Sequence, residues 1–263
     1  MSRPKKRFGQ HFLTDARLLG RIADALQAEA GAAVLEIGPG HGALTRALLA
    51  RDFAVTAIEK DADLWPELQQ RFPTLQLIGG DALDVDWHAA APGALIIGNI
   101  PYNVTSPLVD KALQPPRPAR IVYLVQKEVA LRLAAAPGAD DYGALSVGVQ
   151  AVARVEKLFN VAAGAFSPPP KVDSAVVRLT PLAEPLIADA EVATFRLLVV
   201  GLFSYRRKTL QRGMRELTGW PPEQAAAVLA AASLDGTVRP ETVAPAEFAR
   251  LLRVCVDAGW YGR

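Results

Sequence analysis

The sequence predicts an α/β fold: a doubly wound, parallel sheet followed by a separate, small C-terminal helical domain. Three observations carry this. Short, branched, apolar runs alternate with helical stretches through the first half of the chain, as in Ala33–Ile37, Ala54–Ile58 and Ile121–Val125. The turns between them are short. From about residue 189 the periodicity becomes helical and stays so.

Thr14-Asp15 can cap a first helix running to about residue 29. Residues 33–37 are a strand, 38–42 a glycine-rich turn, and a helix follows to about Arg51. The second strand, 54–58, ends at Glu59, and 62–72 is helical. A third strand, 75–78, is closed by Gly79-Gly80-Asp81; the fourth and fifth are 94–98 and 121–125. Residues 144–153 and 174–180 are strand-like, with Pro168-Pro169-Pro170 between them, and can add antiparallel strands to the sheet edge. A linker near Pro181 to Pro185 divides a domain over 1–182 from a helical domain over 183–263. The helices of the latter break at Gly219-Trp220-Pro221-Pro222 and near Pro240 and Pro245.

Half of the 263 residues are apolar, enough for a substantial core. One cysteine and three scattered histidines provide neither a disulfide framework nor a metal site. Net charge is only +2, but its distribution is uneven. Arg3, Lys5, Lys6 and Arg7 precede the first acid, and Arg206, Arg207, Lys208, Arg212 and Arg215 form a second cluster with no acid inside it. Two such patches suit a polyanion; a solvated tail and a solvated helix face would look the same. No apolar stretch follows the basic N-terminus, and Leu197 to Phe203 is too short to span a bilayer. The expectation is a soluble, cytoplasmic monomer.

The chemistry gathers at the strand ends. Glu36-Ile-Gly38-Pro39-Gly40-His41-Gly42 is spaced G-x-G-x-G, which lets a ligand approach the backbone, though a merely tight turn needs glycine too. Glu59 can hold a ribose diol with its two oxygens, or be a plain strand-end charge. Asp81 can accept from an exocyclic amine. Polar groups on successive strand ends are what a nucleoside-bearing cofactor needs. At the fourth strand end stands Asn99-Ile-Pro-Tyr-Asn103. The Asn99 oxygen can accept from an amine, Pro101 keeps the backbone extended, and Tyr102 offers a flat face for a base.

These residues resemble a family. NIPY is similar to the N-[IL]-P-Y motif of adenine-N6 methyltransferases that use S-adenosylmethionine. Gly9-Gln-His-Phe-Leu13 resembles their G-Q-x-F-L motif, and "EIGPGHGALT" (36–45) their glycine-rich motif. "QKEVALRL" (126–133), "FSPPPKVDSAVVRL" (166–179) and "FSYRRKTLQ" (203–211) extend the likeness over nearly the whole chain. It points to the bacterial small-subunit (16S) ribosomal RNA adenine N6,N6-dimethyltransferases. The resemblance implies a Rossmann-like class I methyltransferase sheet. It also implies dimethylation of two adjacent adenines in the 3′-terminal hairpin loop of 16S rRNA, within the immature 30S subunit. His11 and Leu13 would line the cofactor pocket, with Gly38 and Gly40 under the methionine end. Glu59 would hold the ribose, Asp81 the adenine amine, and Asn99 would border cofactor and target. Phe166 would stack on the target base opposite Tyr102. Lys171, Arg206, Arg207, Lys208 and Arg212 would contact RNA. His11 stands where close relatives often carry Asn.

Three alternatives compete. A large-subunit rRNA adenine dimethyltransferase of the antibiotic-resistance type shares NIPY and the phenylalanine, but "FSPPPKVDS" and the full C-terminal segment favour the small-subunit enzyme. A non-catalytic RNA-binding factor on a methyltransferase fold would not need Asn99, Tyr102, Glu59 and Asp81 together. A nicotinamide dehydrogenase fits neither the glycine spacing nor NIPY.

Overall fold

The computed structural model describes residues 11–262. Arg3, Lys5, Lys6 and Arg7, and Gly9 and Gln10 of the N-terminal motif, lie outside the described residues. Phe12–Leu13 form a two-residue strand, β1. Asp15 then starts α1 (Ala16–Asp24), its carboxylate accepting from the backbone N–H groups of Arg17 and Leu18. Leu19, Ile22 and Ala23 are the buried face of this helix.

Five parallel strands follow: β2 (Ala33–Ile37), β3 (Ala54–Glu59), β4 (Gln76–Gly79), β5 (Leu95–Asn99) and β6 (Ile121–Gln126). Their connections carry α2 (Ala43–Leu49), α3 (Trp65–Arg71), α4 (Trp87–Ala90) and α5 (Thr105–Ala112). The chain builds outward from β2 through β3 to β4, then returns to lay β5 on the other side of β2. That reversal is a topological switch point, where the loops leaving β2 and β5 diverge and open a crevice at the strands' carboxyl ends. The turn after Ile37 and the NIPYN segment are those two loops. Central strands are buried on both faces, so Val34, Ile97 and Val122 are wholly inaccessible.

After β6 the chain forms α6 (Lys127–Ala134), α7 (Ala144–Gln150), β7 (Ala153–Val161), β8 (Phe166–Ser167) and β9 (Ser174–Pro181). The strand expected over 144–153 is therefore a helix, with the strand beginning at its end. Leu145, Val147 and Val149 alternate with smaller residues, which imitates a period of two. Tertiary contacts decide otherwise: Ser146 is buried, accepts from the Gly143 N–H and donates to the Arg132 carbonyl. β9 pairs antiparallel with β6, and the seven-stranded order is β4-β3-β2-β5-β6-β9-β7. β1 and β8 make a separate antiparallel ribbon, with Phe12 opposite Ser167 and Leu13 opposite Phe166.

The described chain divides into two compact units, one of residues 11–130 with 155–181, the other of 131–154 with 182–262. Residues 131–154 thus group with the C-terminal helices, where a single cut near 182 would leave them with the sheet. The second unit is built on α8 (Val192–Ser204), α9 (Leu210–Thr218), α10 (Pro222–Ala231) and α11 (Pro245–Asp257). Phe195, Leu198, Val199 and Leu202 of α8 are buried in it, with Met214, Leu229, Phe248 and Leu252. Gly219 ends α9 in the left-handed region (φ 74°), and Pro222 and Pro245 open α10 and α11. Among the described residues no helix is long and apolar enough to cross a membrane.

Candidate active site

A cavity of about 960 Å³ opens at the switch point of the first unit. Its floor is the glycine turn. Gly38 donates its N–H to the Ile58 carbonyl at 2.9 Å, tying the turn to β3. Gly40 lies at φ 58°, and a Cβ there would stand 2.8 Å from the Phe12 ring. Only glycine lets that ring close over the loop. Phe12 also packs edge-on against His41, with centroids 4.6 Å apart. Beyond it, Glu67 joins His41 at 3.0 Å and Arg71 at 2.9 Å, bracing the turn from α3.

Two glutamates face the cavity from neighbouring strands. Glu59, the last residue of β3, accepts from the Gly40 N–H at 3.0 Å and the Asp61 N–H at 2.7 Å, one on each oxygen. A carboxylate has about four lone-pair directions, so each oxygen keeps one for a hydroxyl. Burial pushes the Glu59 carboxyl above its ordinary value, against those backbone donors. Glu36, on β2, accepts the Thr45 hydroxyl on Oε2 at 2.6 Å. Its Oε1 is buried and has no partner among the described residues. Burial pushes this carboxyl up to about 8.

Asp81 lines the cavity beyond β4. Its Oδ1 accepts from the Leu83 N–H at 2.9 Å and its Oδ2 meets Lys60 Nζ at 2.5 Å. The lysine bond, then the backbone bond, holds its carboxyl below the usual range. Lys60 is over half exposed, so this surface pair yields readily to a ligand.

Asn99 ends β5. Its Nδ2 donates to the His11 carbonyl at 2.9 Å. A carbonyl only accepts, so the amide's orientation is set and Oδ1 remains as the acceptor. Ile100 donates its N–H to the Leu124 carbonyl at 3.0 Å. The Pro101 carbonyl takes the Val104 N–H at 3.1 Å and the Thr105 hydroxyl at 3.3 Å. Tyr102, partly buried, shares a 2.9 Å hydrogen bond between its hydroxyl and that of Ser174, the fully buried first residue of β9. Burial raises the Tyr102 phenol and the Ser174 bond opposes that rise.

The structure therefore brings His11, Leu13, Gly38, Gly40, Glu59, Asp81, Asn99 and Tyr102 to one cavity. Phe166 does not join them. It is 5% exposed, packed in the core with Leu13 opposite it in the β1–β8 ribbon, and does not line the cavity. The expected stack opposite Tyr102 is thus not formed by this ring; His11 lies against Tyr102 instead. Lys171 is exposed in the loop before β9. In the helical unit, Arg206, Arg207 and Arg212 are exposed and Lys208 partly so. The cluster is less bare than its sequence: Glu241 pairs with Arg206 at 3.5 Å, and Glu216 with Lys208 at 2.9 Å and Arg212 at 3.7 Å.

Phe12, Glu36, Thr45, Lys60 and Ser174 are site residues that no sequence pattern singled out. Phe12 and Glu36 lie inside recognisable motifs, and their positions there were the available signal. Thr45 and Ser174 lie inside motifs too, over 36–45 and 166–179, but their contacts are set by the fold: Thr45 with Glu36, and Ser174 with Tyr102, 72 positions away in the chain.

Comparison with known proteins follows the same lines. A family model described as ribosomal RNA adenine dimethylase matches residues 1–254. A protein of Pseudomonas fluorescens named ribosomal RNA small subunit methyltransferase A is 44% identical over 262 residues, 97% of this chain and 95% of that one. Its namesake in Pseudomonas aeruginosa is 44% identical over 256 residues, 95% and 93% of the two chains. Among solved structures, a dimethyladenosine transferase from Plasmodium falciparum superposes with TM-score 0.85 at 27% identity, covering 96% of this chain and 100% of that one. The 23S rRNA methyltransferase ErmE gives TM-score 0.72 at 30% identity, covering 92% and 98%.

Proposed function

The chain belongs to the ribosomal RNA adenine dimethylase family, and from that premise we propose that it dimethylates N6 of two adjacent adenines in the 3′-terminal hairpin loop of 16S rRNA. The substrate is the immature 30S subunit, the methyl donor S-adenosylmethionine, and the enzyme a cytoplasmic monomer. The observation that carries this reading is the Asn99 amide, oriented by the His11 carbonyl, beside Tyr102 in the cavity that also holds Gly40 and Glu59. The small subunit is favoured over the large because 44% identity to small-subunit enzymes exceeds the 30% to the 23S enzyme.

The residues fit the cofactor. Glu59 has the spare lone pairs for a ribose diol, and Asp81 the free acceptor capacity for an adenine amine once Lys60 yields. A Cβ at Gly38 would meet nothing within 4 Å, so the backbone there lies open to the methionine end. Bound there, S-adenosylmethionine supplies an electrophilic methyl group.

The protein's own work is to present the target nitrogen. An adenine amine is a weak nucleophile because its lone pair is delocalised into the ring. Asn99 Oδ1 accepts one N6–H. The second acceptor is a backbone carbonyl at Ile100-Pro101, and since Val104 and Thr105 already engage that of Pro101, Ile100 is favoured. Holding both hydrogens out of the ring plane's preferred geometry frees the lone pair, and Tyr102 fixes the ring beneath it. Such orientation can remove about 7–11 kcal/mol of barrier in the best cases. No side-chain base is required, because N6 becomes acidic only once alkylated and its proton then passes to water. N6-methyladenine keeps one N–H, so one of the two contacts survives for the second transfer. The base must leave its stack to reach the site, which a hairpin loop makes easiest.

The reading is tested by tritiated-methyl transfer to immature 30S subunits, with the product nucleosides resolved. N6,N6-dimethyladenosine in 16S rRNA is expected. Label in 23S rRNA only, or none, would contradict it.

A further inference from the structure

One face of Tyr102 is already taken. The His11 ring centroid stands 5.7 Å from that of Tyr102, with the planes 27° apart, within the range of direct ring contact. Stacked bases repeat at about 3.4 Å, so a base between two rings sets them roughly 7 Å apart. No base fits between these two as they stand. His11 is held at two points. Its Nδ1 donates to the Pro168 carbonyl at 2.9 Å, and its backbone carbonyl accepts from Asn99. Side-chain rotation would break the Pro168 bond alone and leave the carbonyl on Asn99.

We propose that His11 is the gate and positioning residue of the base site: its imidazole occupies the Tyr102 face that the target adenine takes, while its carbonyl keeps the Asn99 acceptor presented. Adenine enters as the imidazole swings off Tyr102 and lets go of Pro168. The platform is thereby kept covered and dry between turnovers, and the amide does not turn over when the ring leaves. This rests on the reading of Asn99 and Tyr102 as the base site.

His11→Ala and His11→Asn both keep the backbone carbonyl and remove the imidazole. Measured on immature 30S subunits at saturating S-adenosylmethionine, the KM for the subunit should fall in both, by about the 2- to 10-fold that one aromatic pair is worth. A misfolded fraction lowers the apparent kcat and leaves KM as it was, so a fall in KM does not come from lost fold. In the wild-type protein, the His11 ring protons should carry a ring-current shift. It should vanish in Tyr102→Ala and again when the 16S hairpin RNA is added. An unchanged or raised KM in His11→Ala, or His11 resonances indifferent to the RNA, would overturn the proposal. Asn99→Ala separates the two claims. A parental dimethylation rate in that variant overturns the base site and the gate together. A rate abolished there, with KM unchanged in His11→Ala, overturns the gate alone.

Discussion

The strand-edge cavity and the basic turn of the helical unit hold their polar groups in opposite ways. In the cavity Glu59, Asn99 and Tyr102 are fixed by backbone or buried partners: Glu59 by Gly40 and Asp61, Asn99 by His11, Tyr102 by Ser174; only Asp81 shares an exposed partner, Lys60. In the helical unit the cations are long, exposed and matched to surface acids, Arg206 to Glu241 and Lys208 and Arg212 to Glu216. Exposed pairs of that kind add little to stability and leave their cations available to a phosphate chain. A reacting nitrogen tolerates little misplacement, whereas a phosphate chain is attracted at range by any cation near it. Chemistry and affinity therefore make different demands on two parts of one chain, and substitutions should separate them.

The largest effect on binding should come from Glu59→Ala. The variant removes two charged hydrogen bonds at about 1.5–3 kcal/mol each, so cofactor affinity should drop on the order of 100-fold or more, with RNA affinity retained. Calorimetry with S-adenosylmethionine checks this, and unchanged affinity would remove Glu59 from the ribose site. Reversing Arg206 and Arg207 to Glu should do the converse. RNA affinity falls and its salt dependence flattens by about 0.7–0.9 of a unit for each phosphate no longer neutralised, while cofactor binding stays. Filter binding across a salt series reads the slope; a parental slope would make the cluster a solvated face only.

Gly40→Ala is expected to cost about 1–2 kcal/mol for a left-handed alanine, and to push Phe12 off the turn. Cofactor affinity should fall roughly tenfold with RNA affinity unaltered. The smallest effect is on pH. The Glu36 carboxyl lies near 8 in the fold against an ordinary 4.5. Between those values the folded protein holds a proton that the unfolded chain has released. Stability from this group is therefore greatest below about 4.5 and falls as pH rises towards 8. Glu36→Gln should flatten the decline in thermal midpoint over that window, and an unaltered slope would mean that Glu36 is not the titrating group.

Much of this was legible in the sequence because parallel strands are local signals. Residues 33–37, 54–58 and 121–125 each announce a strand by a short, mostly apolar run, which the structure extends to Glu59 and Gln126 in the last two, and the glycine, acid or amide at each end announces the crevice. The failures share a cause as well. Residues 144–150 carry a period-two pattern that a buried Ser146 overrides in favour of a helix. Phe166 has the right residue type for a stacking ring. Its side is chosen by pairing with Leu13, far away in the chain, and that turns it into the core. The same ribbon brings His11 to Tyr102. Of the acids that answer the basic cluster, Glu216 stands just outside the run that defined it and Glu241 is brought to it by the fold from further along the chain, which is why it read as uncompensated.

One measurement addresses the division directly: single-turnover methyl transfer at saturating S-adenosylmethionine and saturating 30S subunits, for Asn99→Ala and for the Arg206, Arg207 reversal. Removing one preorganised acceptor should slow dimethyladenosine formation by on the order of 100-fold or more, while the reversed cluster, once saturated, should leave the rate near parental. Dimethyladenosine formed by Asn99→Ala at the parental rate would contradict the account, and NIPYN would then be only a turn.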